Sequence, residues 1–165
     1  MNAKLVFPLL ALFLAGCASS DVSDNIKQND NAPAADDLVL KAKGWWGLSS
    51  ADFIAKSGLK PGEYSMGSHP SKQNTTVIMP AVNHWNPPQL SPMEFDFEPA
   101  KGLVSIGGFL RSGDTQASVE AVIASRYGGY TKTSAALSFT THSWAIDGSM
   151  LEITAYFFSL VPASN

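Results

Sequence analysis

The sequence predicts an α+β domain, two helices packed on a mainly antiparallel sheet of about five or six strands, occupying residues 38–165. Three observations predict it. Asp147-Gly148 sits between two β-rich runs, a two-residue hairpin signal because both turn residues need positive φ. Glu94-Phe95-Asp96-Phe97-Glu98 alternates strictly, the mark of a half-buried strand. Two short segments carry capping residues followed by apolar side chains at helical spacing.

The first helix starts at Leu48-Ser49-Ser50-Ala51-Asp52-Phe53. Ser49 is placed to cap, Asp52 stands three residues on, and Leu48 and Phe53 form a hydrophobic staple. Gly58 supplies a left-handed stop and Pro61 prevents resumption. Residues 64–66 and 75–79 read as strands separated by polar turn residues. Residues 80–92 contain Pro80, Pro87, Pro88 and Pro92; proline removes ladder donors, so this stretch reads as a loop. After the alternating strand, residues 99–102 make a tight turn and residues 103–110 return. Asp114 is the expected cap of a second helix, whose buried face is Val119, Val122, Ile123 and Tyr127 and which ends at Gly128-Gly129.

The Asp147-Gly148 turn fixes a register that pairs Ile146 with Ser149, Trp144 with Leu151 and His142 with Ile153. Extended outward, it pairs Phe139 with Tyr156, Ser138 with Phe157 and Leu137 with Phe158. No internal repeat survives residue-by-residue comparison.

The N-terminus carries one lysine, Lys4, then an apolar run over residues 5–15 that is too short to span a bilayer. It stops at Leu14-Ala15-Gly16-Cys17, where small residues directly precede the chain's only cysteine. This segment resembles the lipobox of bacterial lipoproteins, a resemblance confined to about the first 17 residues. The resemblance implies cleavage before Cys17, a diacylglycerol thioether on its sulfur and a further acyl chain on the freed amine. Residues 1–16 are then a signal peptide. Several acyl chains on one residue anchor stably, since each buried methylene contributes about 0.8 kcal/mol. Ala18-Ser19 lacks the aspartate of an inner-membrane retention signal, which favours the outer membrane with the domain facing the periplasm. With Cys17 acylated, no disulfide supports the fold and an apolar core must.

Residues 17–37 read as a lipidated cysteine and a flexible tether, rich in Asp, Asn, Ser, Ala and Pro and too polar to offset its own ordering entropy. From Gly44 onward seven Lys and Arg face nine Asp and Glu with no basic stripe, which removes nucleic acid as a partner class.

Chemistry is sparse. His69, His84 and His142 lack a second histidine at ligand spacing. There is no Gly-x-Ser-x-Gly elbow, no Gly-x-Gly-x-x-Gly loop and no cysteine free for catalysis. Glu94, Asp96 and Glu98 share a strand face, as on any half-solvated strand. No catalytic residue, metal site or cofactor is assigned. Asn83-His84-Trp85-Asn86-Pro87-Pro88 places a large aromatic on a proline-stiffened loop, so Trp85, His84, Asn83 and Asn86 are the expected partner contacts. The competing reading is that Trp85 folds back and plugs the domain. Trp45 and Trp46 are expected to pack at the first helix and the sheet end.

The resulting expectation is a non-enzymatic, membrane-tethered envelope lipoprotein that binds a protein partner, as an assembly subunit, inhibitor or immunity-type factor. Its rivals are a periplasmic hydrolase of cell-wall or lipid material, built around His84 or His142, and a small-ligand or glycan binder using Trp85.

Overall fold

A computed structural model describes residues 36–136 and 139–164, within one compact unit spanning Ala32–Asn165. The predicted signal peptide, Cys17 and nearly all of the tether lie outside the described residues. The fold already includes the tether's last two residues. Asp37 caps α1 (Leu38–Ala42) by accepting from the backbone N–H groups of Val39 and Leu40. Asp36 accepts from the Asn86 N–H at 2.8 Å.

The architecture corrects the expected one. The described residues form a single eight-stranded antiparallel sheet with three short helices, so the protein is mostly β and not two helices on a five- or six-stranded sheet. The elements after α1 are α2 (Ser50–Ser57), β1 (Tyr64–Ser68), β2 (Thr76–Pro80), β3 (Leu90–Glu98), β4 (Gly102–Leu110), α3 (Gln116–Tyr127), β5 (Lys132–Ala136), β6 (Phe139–Ile146), β7 (Ser149–Thr154) and β8 (Phe157–Pro162). Their order across the sheet is β1-β2-β3-β4-β8-β7-β6-β5. This order is palindromic. A helix followed by a four-stranded meander occurs twice, and the last strand of each half pairs antiparallel with the other. Both helices open alike: Ser49 and Thr115 cap, and Phe53 and Val119, four residues on, are fully buried. The repeat is one of topology, carried by burial pattern and not by residue identity.

α2 starts and stops as its sequence requires, with the Ser49 side chain accepting from Asp52 N–H and Gly58 left-handed at φ 83°. α3 departs by one residue at its start. Asp114 is held by Arg111 at 2.9 Å, and Thr115 caps instead, in a reciprocal box with Ser118.

The sheet has two further corrections. β3 begins at Leu90 and runs through Pro92, which had read as loop. A register shift between Pro92 and Glu94 makes Met93 an extra residue there, and a bulge tolerates a residue without an N–H. The Asp147-Gly148 hairpin has the expected register from Ile146↔Ser149 to Thr141↔Thr154. Beyond that the ladder ends, because the chain turns again at Ala155 and Tyr156 and returns as β8, pairing Thr154 with Phe157. Phe139 therefore pairs with Ala136 of β5 and not with Tyr156. The expected pairings of Leu137 and Ser138 lie outside the described residues.

One face of the sheet buries the core. Ile78, Phe95, Leu103, Ile106, Trp144, Leu151, Ile153 and Leu160 meet Leu38 and Val39 of α1, Phe53 of α2, and Val119 and Ile123 of α3 in a single cluster. α2 packs on β4, while α1 and α3 pack on β7. With all three helices on this side, the opposite face carries no helix among the described residues.

Candidate functional site on the open sheet face

The proline-stiffened loop is inside the fold. Trp85 is 2% exposed and sits edge-on to Phe95 at 5.4 Å and to Trp45 at 6.3 Å, at the centre of the aromatic core. A ring so enclosed offers a partner no surface, and its burial matches the plug reading. Asn83 donates its side-chain amide to the Leu90 carbonyl and accepts from the Trp85 N–H. Asn86 clamps the incoming chain, donating to the Asp36 carbonyl and accepting from Leu38 N–H at 2.7 Å. His84 and Asn83 are exposed and Asn86 is half-buried, with the His84 ring 4.3 Å from that of Trp85. Trp45 is buried as expected, and Trp46 donates its indole N–H to Ser149 Oγ at 2.9 Å.

His142 lies under α3. Its Nδ1 is 2.7 Å from Glu120 Oε1, and Tyr130 stacks flat on the ring at 4.1 Å. A carboxylate that orients a histidine is half of a catalytic arrangement. Among the described residues, no hydroxyl hydrogen-bonds its other ring nitrogen, so the pair reads as a structural tie between α3 and β6.

The feature that sequence reasoning missed is the open face itself. Cross-strand pairs share a face, so the register lists its side chains in rows. One row is Ser91–Phe109–Phe157–Thr154–Thr141. The next is Glu94–Gly107–Ser159–Glu152–Ser143. Phe109 and Phe157 face each other across β4 and β8 with centroids 4.9 Å apart, and are 44% and 52% exposed. Met79 and Met93, 42% and 49% exposed, complete an apolar groove of about 300 Å³ with these rings, Glu94 and the glycines Gly107 and Gly108. A second groove shares Phe109 and continues past Tyr156 toward Arg111. The signal was present in the sequence only as scattered single residues on four strands. Register alone brings them together.

Beside the groove the β1–β2 loop folds over β3. Asp96, expected to be solvated, is 1% exposed. Its Oδ2 accepts from Ser105 Oγ at 2.8 Å and pairs with Lys72 Nζ, while its Oδ1 has no hydrogen-bond partner. His69, Glu94 and Asp96 offer ligand atoms within 4.8 Å of one another. Two facts weigh against a metal on this trio. The Lys72 ammonium already neutralises Asp96. And His69 Nδ1 accepts from the backbone N–H groups of Ser71 and Lys72, at 3.1 and 3.0 Å. A neutral ring whose Nδ1 accepts carries its proton on Nε2, so neither nitrogen has a lone pair free for a cation.

No protein-family model, curated protein or solved structure matches this chain.

Proposed function

We propose that the protein is an envelope lipoprotein, tethered through acylated Cys17, whose domain binds a protein partner through the open sheet face around Phe109 and Phe157. The observation that carries this reading is the exposed cluster Met79, Met93, Phe109 and Phe157 on a face without a helix. Contiguous apolar side chains rimmed by polar ones mark interaction surfaces, and methionine and phenylalanine are enriched at their centres. Glu94 and Glu152 on the same face argue against insertion into lipid, where a carboxylate is costly. No helix among the described residues is long and apolar enough to cross a membrane, so attachment in this reading rests on the acyl chains.

A photoreactive residue at position 109 or 157, introduced in cells, tests the reading. Crosslinked protein adducts at both positions, and none at exposed Ala117 of α3, are expected. Equal yields at all three positions would overturn the assignment of the face. Cys17→Ser should abolish palmitate incorporation; undiminished label would remove the anchor.

A further inference from the structure

Building on the open face as the docking surface, we propose that it recognises an extended basic segment of the partner, with arginines at positions i and i+4 paired to Glu94 and Glu152.

The row Glu94–Gly107–Ser159–Glu152 crosses four adjacent strands, β3, β4, β8 and β7. At about 4.8 Å per strand, the two glutamates stand roughly 14 Å apart. The floor between them is low, since Gly107 has no side chain and Ser159 a short one. The Glu94 side chain lies over Gly107, with Oε1 3.2 Å from where a Cβ would be. The adjoining row closes one side of this trough with Phe109 and Phe157.

The charges on this face are unevenly matched. Asp96 is neutralised by Lys72 and Glu98 by Lys101. Glu94 and Glu152 have no ion-pair partner among the described residues; Glu152 is met only by the Ser143 hydroxyl at 3.5 Å. On the trough itself two carboxylates remain, and their complement is cationic; the one further charge on this row, Lys132 opposite Ser143, stands two strands beyond Glu152 and is in ion-pair contact with neither glutamate. Arginine fits better than lysine, because a planar guanidinium pairs bidentately with a carboxylate and stacks on the face of a phenylalanine ring. An extended chain rises about 3.3 Å per residue, so side chains at i and i+4 share a face and lie roughly 13 Å apart, close to the spacing of the glutamates. The residue at i+2 then points at the Gly107–Ser159 floor, where an apolar side chain finds the groove.

A random peptide library displayed on phage, panned against the full-length protein in detergent, tests the proposal. Selected peptides should carry two arginines four residues apart. Each of Glu94→Gln and Glu152→Gln should weaken their binding by about tenfold, the scale of one charge-assisted contact. Matching near-ultraviolet spectra would confirm that these surface variants fold. Peptides that lose binding in Phe109→Ser/Phe157→Ser but ignore both glutamine variants would overturn the basic segment while leaving the docking face in place. If no selected peptide depends on Phe109 or Phe157, the docking face falls as well. Binding of anionic vesicles in place of peptides, lost in Phe109→Ser, would overturn the proposal in favour of a lipid occupant.

Discussion

The Tyr127 hydroxyl donates to Asp37 Oδ2 at 2.5 Å and so ties the end of α3 to the residue that caps α1. Asp37 is buried, and Arg126 Nη1 also approaches that oxygen, at 3.5 Å. Tyr127→Phe should cost about 1–3 kcal/mol in urea unfolding, in the lower half of that range because Arg126 stays. Burial first, and the bond to Asp37 second, push the Tyr127 hydroxyl well above its ordinary range. In the unfolded chain a phenol ionises near about 10. Its stabilising contribution is therefore complete below that pH and is lost as pH rises, since the unfolded state sheds its proton first. Wild type should lose stability above about pH 10 more steeply than Tyr127→Phe. Parallel slopes would show that this tie contributes nothing.

Trp85→Ala should destabilise the fold by roughly 3–5 kcal/mol, as for other buried aromatics. Trp85→Phe should cost clearly less, because it keeps an aromatic ring against Phe95 and removes an indole N–H that has no hydrogen-bond partner. Thermal melts of the two variants check this. Equal midpoints for Trp85→Ala and wild type would mean that the ring is not in the core.

Strong local chemistry was legible in the sequence, and long-range assembly was not. Ser49 with Gly58, the inward placing of Phe95 and Phe97, and the Asp147-Gly148 register as far as Thr141↔Thr154 follow from neighbours a few residues apart and stand in the structure. The strand count fell short first at β5 (Lys-Thr-Ser-Ala-Ala), an edge strand with no apolar alternation to see, whereas the other edge, β1, was read as a strand over residues 64–66. β8 was hidden differently. Its β-rich sequence reads as a continuation of β7, and only the turn at Ala155 and Tyr156 separates them. The candidate site was illegible for the same reason. Glu94, Gly107, Ser159 and Glu152 become neighbours only once β4 pairs with β8, a contact that spans α3 and three strands. The proline loop misled because stiffness was read as presentation, whereas here it holds Trp85 inward and grips the Asp36–Leu38 backbone.

Gly148 has φ 79° and Asp147 φ 43°, so the hairpin turn uses the left-handed region at both positions. Gly148→Val places a β-branched side chain there and should cost on the order of 1–3 kcal/mol. Space does not set this cost, since the nearest atom to an added Cβ, apart from chain neighbours, is Lys43 Cγ at 3.9 Å. The strain should therefore appear equally for Gly148→Ile. An unchanged unfolding midpoint in both variants would place the turn elsewhere.

Gly107 and Gly108 are adjacent on β4 and should respond in opposite ways. A Cβ on Gly108 would stand 2.1 Å from the Ser91 carbonyl oxygen and 2.6 Å from Phe158 Cε1, on the core face. One of these is backbone and the other a packed ring, so neither can yield without opening the β3–β4 ladder. Gly108→Ala should cost roughly 3 kcal/mol, the upper end of overpacking. The nearest atoms to a Cβ on Gly107 all belong to the Glu94 side chain, Oε1 at 3.2 Å and Cγ at 3.4 Å, a flexible side chain on the open face. Gly107→Ala should lie within about 0.5 kcal/mol of wild type, while lifting Glu94 off the floor of the trough. Chemical denaturation of the two variants decides the matter. Equal losses at both positions would mean that β4 does not present alternate residues to a packed face and an open one, and the groove between Glu94 and Phe109 would lose its structural basis.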